Sequence, residues 1–293
     1  MLAQISSSVY VETGHLGSNN GIVVGDDGAV VLIDAPHKPT DAEQWATRVA
    51  EFGTVTYLVH TDHHPDHVIG NAWLPGTVVA HEGTRRRLLR EPLSREYLDD
   101  LYAVIDPTAV DDERSFSPRL PEITFNDRLT LQCGHLTVEL HHVSGHTVNT
   151  IVALVPEEGV IFTGDNVCPA GLPSFQDSSV ARWFDALDRI ERLDFDVLVG
   201  GHGEPAGREA IDRYREEGSA LIREVAEGME RGRSKNDLMN HIRFPDRLHV
   251  GTESYAGYPD QLIELFQRRS VDRIYEDLSM DWSLANRLTA AAT

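Results

Sequence analysis

His60-Thr-Asp-His-His-Pro-Asp-His67 follows directly on the apolar run Tyr57–Val59. From Thr61 to His67, three histidines and two aspartates fall within seven positions. Imidazole and carboxylate donors at that density suit zinc, iron or manganese. A strand end is also where α/β folds place functional side chains. Taken alone, the stretch would pass for a polar turn of solvated residues. Three further fragments make the metal reading the stronger one. Ser144-Gly-His-Thr147 follows a strand ending near His142, Phe162-Thr-Gly-Asp165 ends another on Asp165, and Val199-Gly-Gly-His-Gly203 ends a third on His202. In each, an apolar run delivers one ligand-capable side chain beside a glycine, which lets the backbone turn tightly and leaves room for an ion. One such residue is ordinary; four such strand ends imply a common centre.

Outward from these landmarks the first half of the chain alternates short β runs with turns. Val9–Glu12, Gly21–Val24 and Val30–Ile33 read as strands, with a helix over Asp41–Phe52 and strands at Val55–Val59 and Thr77–Ala80. Glu82 to about Val104 reads as helical, and Asp106–Pro121 as a long surface connection of the kind that forms lids or binding loops. Strands resume at Leu129–Gln132, Leu136–His142, Thr150–Val155, Val160–Thr163 and Asp196–Val199. Val180, Trp183, Phe184, Leu187, Ile190 and Leu193 step by three or four, which marks one apolar helix face. Two more helical stripes follow, over Ile211–Met229 and Leu262–Leu278. The expected division is a catalytic core over 1–205 and a helical extension over 206–293 packed on it.

The chain has 293 residues, and 26 Lys+Arg against 47 Asp+Glu give a net charge of −21. Such a charge repels phosphate backbones and anionic lipid, so neither nucleic acid nor membrane is an expected partner. A hydrophobic share of 41% supports a sizeable core and excludes global disorder. No apolar run reaches the roughly 18–20 residues of a bilayer span. Met1-Leu-Ala-Gln-Ile-Ser-Ser-Ser carries neither a basic region nor an apolar stretch, and Cys133 and Cys168 are too few for a disulfide framework. The expectation is a cytoplasmic protein with two free thiols. A homodimer through the Ile211–Met229 stripe is one use of that surface, and packing on its own domain is the other.

In this order the fragments resemble the metallo-β-lactamase superfamily, with its His-x-His-x-Asp-His signature, Gly-His-Thr, a Gly-Asp strand end and a late Gly-His-Gly. The resemblance runs from Val9 to Pro205; Gly17-Ser-Asn-Asn-Gly21 and Leu32-Ile-Asp34 match the opening strands. Gly70-Asn-Ala-Trp73 and Trp183-Phe-Asp-Ala-Leu187 are similar to its glyoxalase-II-like and broad hydrolase branches. It implies an α/β fold, an αββα sandwich of two mixed sheets, with a two-metal site at one edge. Carried over residue by residue, it implies metal ligands Asp62, His64 and His146 for one ion and Asp66, His67 and His202 for the other, with Asp165 between. Asp62 departs from the family, which has histidine there. Three outcomes stay open: Asp62 ligates directly, His60 or His63 takes its place, or the first site is weak or empty. An oxygen donor would also move the metal preference from Zn2+ toward Mn2+ or Fe2+.

The resemblance further implies a metallo-hydrolase in which Asp66 is the catalytic residue that orients an attacking water. The substrate would be a small organic ester, thioester, lactone or amide. The rival readings are an iron-dependent redox enzyme of the same fold and a non-catalytic, regulatory metal-binding relative. Asp34, ending a buried run, is expected to orient the ligand loop, unless it is an ordinary turn aspartate. His81 is either near the site or a surface residue, and His135, His141 and His142 are structural. Cys168 has no base assigned to it and hence no nucleophilic role. Pocket walls are expected from Leu172–Phe175, Asp106–Pro121 and His249–Tyr258, with Phe175, Tyr255 and Tyr258 as the aromatics.

Overall fold

Alternate residues of one strand, β4 (Ala29–Ile33), enter two different apolar clusters. Val31 and Ile33 join Leu131, Val138, Ile151 and Phe162 from later strands. Val30 and Leu32 join Trp45, Val49 and Leu58. Side chains of a strand alternate between faces, so β4 is buried on both sides, as its continuous Val-Val-Leu-Ile run requires. The structure, a computed structural model, describes residues 1–109, 113–116, 118–169, 171–243 and 258–285.

Among these residues, a seven-stranded sheet runs in the order β1 (Leu2–Gln4), β2 (Val9–Glu12), β3 (Asn20–Val24), β4, β5 (Thr54–Val59), β6 (Thr77–His81) and β7 (Ile123–Phe125). Its pairs are antiparallel as far as β4 and parallel from β4 to β7. A second, five-stranded sheet has the order β12 (Val197–Gly200), β11 (Val160–Gly164), β10 (Ile151–Val155), β9 (Leu136–His142) and β8 (Arg128–Cys133). There only β11 and β12 are parallel. The shared cluster lies between the sheets. Helix α1 (Pro39–Val49) covers the outer face of the first sheet through Trp45 and Val49. The outer face of the second, Val152, Leu154, Ile161 and Leu198, packs under α5 (Val180–Glu191) and α6 (Glu209–Glu230). Two mixed sheets flanked by helices therefore form the expected αββα sandwich.

The helix-spaced positions Val180, Trp183, Phe184, Leu187 and Ile190 of α5 are all buried, and the Ser179 side chain caps its first turn by accepting from the Arg182 N–H. The Ile211–Met229 stripe is buried as well: Ile211, Tyr214, Leu221, Ile222 and Val225 share a cluster with Trp183 and Leu198. That burial inside the molecule removes the stripe as a dimer surface. Helices α7 (Lys235–His241) and α8 (Asp260–Met280) add Leu238, Val271, Ile274 and Leu278 to the same cluster.

Two expectations need correction. The helical run from Glu82 is two helices, α3 (Glu82–Arg90) and α4 (Arg95–Ile105). Pro92 forces Glu91 out of the helical region, to ψ 70°, and Ser94 then caps a new start by accepting from the Tyr97 N–H. The described residues of the connection after α4 are tied down on the first sheet's side of the molecule and do not form a lid. Asp106 accepts from the N–H and hydroxyl of Thr40, each at 2.9 Å, Ser115 is fully buried, and Arg119 holds the carbonyls of Leu74 and Gly76. Among the described residues, no helix is long and apolar enough to cross a membrane.

Candidate metal centre

Parallel strands aim their C-terminal ends the same way, so the turns after β4, β5 and β6 and those after β11 and β12 gather their side chains at one edge of the sandwich. The edge is closed where the Ile151 N–H donates to the Thr61 carbonyl across the sheets, at 2.8 Å. Helix α2 (Pro65–Val68), one turn long, carries Asp66 and His67 out of the His60–His67 stretch.

Three donor groups result, and two of them hold the expected ligands. In the first, atoms of Asp66, His67, Asp165 and His202 lie within 4.8 Å of one another. His67 Nε2 is 3.3 Å from Asp165 Oδ1 and 3.8 Å from Asp66 Oδ2; His202 Nε2 is 3.2 Å from Asp66 Oδ2 and 3.4 Å from Asp165 Oδ2. In the second, Asp62, His64 and His146 converge to the same degree. His146 Nε2 is 3.0 Å from His64 Nδ1, and Asp62 Oδ2 is 3.3 Å from His64 Nδ1 and 3.9 Å from His146 Nε2. Asp165 Oδ2 stands 3.6 Å from His146 Nε2, so this carboxylate reaches toward both groups.

These separations fit a cation. Tetrahedral donors about 2.1 Å from an ion stand roughly 3.4 Å apart, in the middle of the observed range. Asp62 Oδ2, His67 Nε2 and Asp165 Oδ1 are buried without a hydrogen-bond partner among the described residues. Such orphans are costly in a folded interior; two in the first group and one in the second mark where cations would sit. The backbone leaves that space open: a Cβ on Gly201 would stand 1.8 Å from Asp165 Oδ1.

The electrostatics agree. Burial alone would raise the Asp62 carboxyl, yet the imidazoles of His64 and His67 hold it far below the usual carboxylate range. Burial would depress His202, yet Asp165 and Asp66 lift it to about 10. His67 is lifted well above its ordinary value against the same penalty, by Asp62, Asp34, Asp165 and Asp66.

Neighbouring side chains orient the donors. Asp34, at φ 58° and 2% exposed, accepts from the Thr61 N–H (2.8 Å), the Thr61 hydroxyl (2.7 Å) and His67 Nδ1 (2.9 Å). That places the His67 proton on Nδ1 and turns Nε2 toward the centre, the orienting role expected of Asp34. Asp177 does the same for His64, accepting from Nε2 at 3.0 Å so that Nδ1 faces inward. The His146 loop is held by Asn166, which accepts from the His146 N–H and donates to the Val143 carbonyl. Asn19 fixes the His202 loop through the carbonyls of Gly200 and Gly203.

Of the two alternatives to Asp62, His60 accepts from the Asn71 amide through Nε2 at 2.9 Å, whereas His63 falls with His64 and Asp177 in a third group of converging donors. His81 is no part of the centre: its Nδ1 accepts from the Gly83 N–H, capping α3, and its ring stacks on His142 at 4.0 Å. His141 meets Glu139 and His135 meets Asp26. Cys168 lines the site, but burial and the Asp165 carboxylate push its thiol well above the ordinary value, which keeps it protonated and a poor nucleophile.

A cavity of about 770 Å³ opens onto His64, Asp66, His146, Asp165 and His202. Leu172, Ser174 and Tyr258 line it as expected. Phe175 does not: it is fully buried against Trp183. None of the described residues of Asp106–Pro121 lines it either, and Tyr255, with 249–257, lies outside the described residues. Sequence reasoning missed His37, which is 4% exposed, lines the cavity and is hydrogen-bonded through Nδ1 to the Tyr258 hydroxyl at 2.9 Å. Burial depresses it to about 4, so it is neutral. The only available signal was its place three residues after Asp34. Asp177 carried no signal at all, since it sits in an irregular run with neither period nor motif.

The family model described as the metallo-β-lactamase superfamily matches residues 14–202; the chain belongs to that superfamily. It is 26% identical over 261 residues to the linear primary-alkylsulfatase of a Pseudomonas strain, covering 75% of this chain and 47% of that protein. It is 30% identical over 187 residues to the hydroxyacylglutathione hydrolase of a Synechococcus strain (59% and 63% covered) and 26% over 192 to that of Erythrobacter litoralis (63% and 62%). The chain thus spans from about half to just under two thirds of these relatives. Among solved structures, a metallo-β-lactamase from Pontibacter korlensis superposes with a TM-score of 0.57 at 21% identity, covering 72% of this chain and 94% of that one. The DIM-1 metallo-β-lactamase gives 0.59 at 16%, covering 75% and 97%. At such identities these two establish the fold alone.

Proposed function

We propose that this chain is a metal-dependent hydrolase acting on a small organic ester, thioester, lactone or amide. The observation that carries the proposal is the convergence of seven donors from separate segments on unpartnered buried atoms. Asp66, His67 and His202 would hold one divalent cation and Asp62, His64 and His146 a second, with Asp165 reaching both. Each group offers two imidazoles and one carboxylate beside Asp165, a set that suits Zn2+ and, with Asp62 supplying an oxygen where the family has an imidazole, Mn2+ or Fe2+ as well. Such a cation makes water acidic, from about 15.7 to about 7, and polarises the scissile oxygen. Asp66, which lines the cavity, would orient the attacking water while serving as a ligand. Asp34 and Asp177 keep the His67 and His64 rings aimed, and neutral His37 offers a fixed polar contact at the cavity wall. The catalytic core would be 1–205, with the extension, 206–293, contributing a cavity wall. Two unpaired cysteines support a cytoplasmic setting.

A panel of esters, thioesters and lactones tests the reading: chelation should abolish turnover, and Zn2+ or Mn2+ should restore it. A metal-loaded protein inert to the whole panel would contradict it. Asp62→Ala should lower metal content from two ions per chain to one; two ions retained would show that Asp62 is no ligand. A second reading has one observation behind it. Two histidines and one carboxylate are also the donor set of non-haem iron oxygenases, so stoichiometric iron after anaerobic purification, without hydrolysis, would favour a redox enzyme.

A further inference from the structure

Helix α4 carries two apolar stripes, and the core fully buries only one, with Leu101 of the other resting partly against it. Leu98, Tyr102 and Ile105, at i, i+4 and i+7, pack with Ile69 and Ala109. Tyr97, Leu101 and Val104 have the same spacing on an adjacent face and line the cavity, with Tyr97 44% and Val104 56% exposed. Helix α8 repeats the arrangement. Val271, Ile274 and Leu278 enter the large cluster, whereas Leu262, Leu265 and Phe266, from its first two turns, line the same cavity. A solvent-facing helix side is normally polar, and contiguous exposed apolar surface marks a binding site.

Resting on the hydrolase reading above, we infer that the α4–α8 cleft takes the apolar chain of the substrate, an unbranched acyl or alkyl group, whose scissile end lies at the metal-ligand donors. Continuity identifies the occupant: the apolar walls and the donors His64, Asp66, His146, Asp165 and His202 bound one cavity. Its volume, about 770 Å³, is that of sites that enclose a whole organic ligand. From Tyr97 to Val104 the α4 stripe extends roughly 10 Å at 1.5 Å per residue, enough to follow a chain of several methylenes. Charge does not compete for the occupant. Arg87 and Arg269 line the cleft, but so do Glu91 and Asp100, and Arg87 pairs with Glu91 at 2.6 Å, so two carboxylates offset the two cations and a polyanionic substrate meets no net positive wall there.

The test uses the metal-loaded full chain and p-nitrophenyl esters from acetate to octanoate. A buried methylene contributes roughly 0.8 kcal/mol, or about fourfold, so kcat/KM should climb steeply with chain length, by more than about a hundredfold across the series. Leu101→Asn with Leu265→Asn should flatten the slope. Calorimetry supplies a readout without turnover: octanoate should bind much more tightly than acetate, and the double variant should erase the difference. Equal turnover and equal binding across chain lengths would overturn the inference. So would a ligand-free dimer that Leu265→Asn dissolves, because a second copy would then be the occupant. If no ester is cleaved but binding still follows chain length, the hydrolase reading falls and the cleft assignment stands.

Discussion

An Asp165→Ala protein is expected to purify with little bound metal and to lose far more than a hundredfold in kcat/KM. Asp165 is the carboxylate that approaches both donor groups, at 3.3 Å from His67, 3.4 Å from His202 and 3.6 Å from His146. Changing a residue that merely orients a ligand costs about 10–100-fold in affinity or activity, so loss of a shared donor exceeds that. Without it, three imidazoles also face a space with less negative charge to offset an ion. Elemental analysis and the ester panel read both effects, and near-normal metal content in the variant would refute the shared role.

The second large effect is expected at Asp34, which touches no ion. Asp34→Asn keeps a side chain that tolerates the left-handed backbone at φ 58° but removes the charge that opposes the His67 proton. Its carboxylate now serves three donors in a site 2% exposed; an amide would turn its own N–H2 toward one of them. Breaking such a buried charged contact costs about 3–5 kcal/mol. Metal affinity should fall about 10–100-fold as the His67 ring loses its orientation. Denaturant midpoint and metal titration would measure the two, and an unchanged affinity would mean that His67 is positioned by something else.

The donors were legible in the sequence because each sits at the end of a strong apolar run beside a glycine or within one dense stretch, so local pattern alone marks them. The same holds for the sandwich, whose central strands are continuous Val/Ile/Leu runs buried on both faces. What was not legible depends on distant parts of the chain. Asp177 matters only because β11's following loop brings it to His64, and His37 only because Tyr258 reaches it from the start of α8. Strands β1 and β7, three residues each, are fixed by backbone pairing to their neighbours and have no periodicity to read. The break between α3 and α4 was visible in Pro92, but the charged residues around it kept the helical pattern running. The second stripe of α4 carries the same spacing as the buried one, and only the packing separates cleft from core.

Metal content with site-resolved location tests the whole account most directly. Crystals of the purified chain, measured at the absorption edges of zinc, iron and manganese, should show one ion amid Asp66, His67, Asp165 and His202 and another amid Asp62, His64 and His146. A protein that takes up no divalent ion after reconstitution, or binds it away from these side chains, would contradict it.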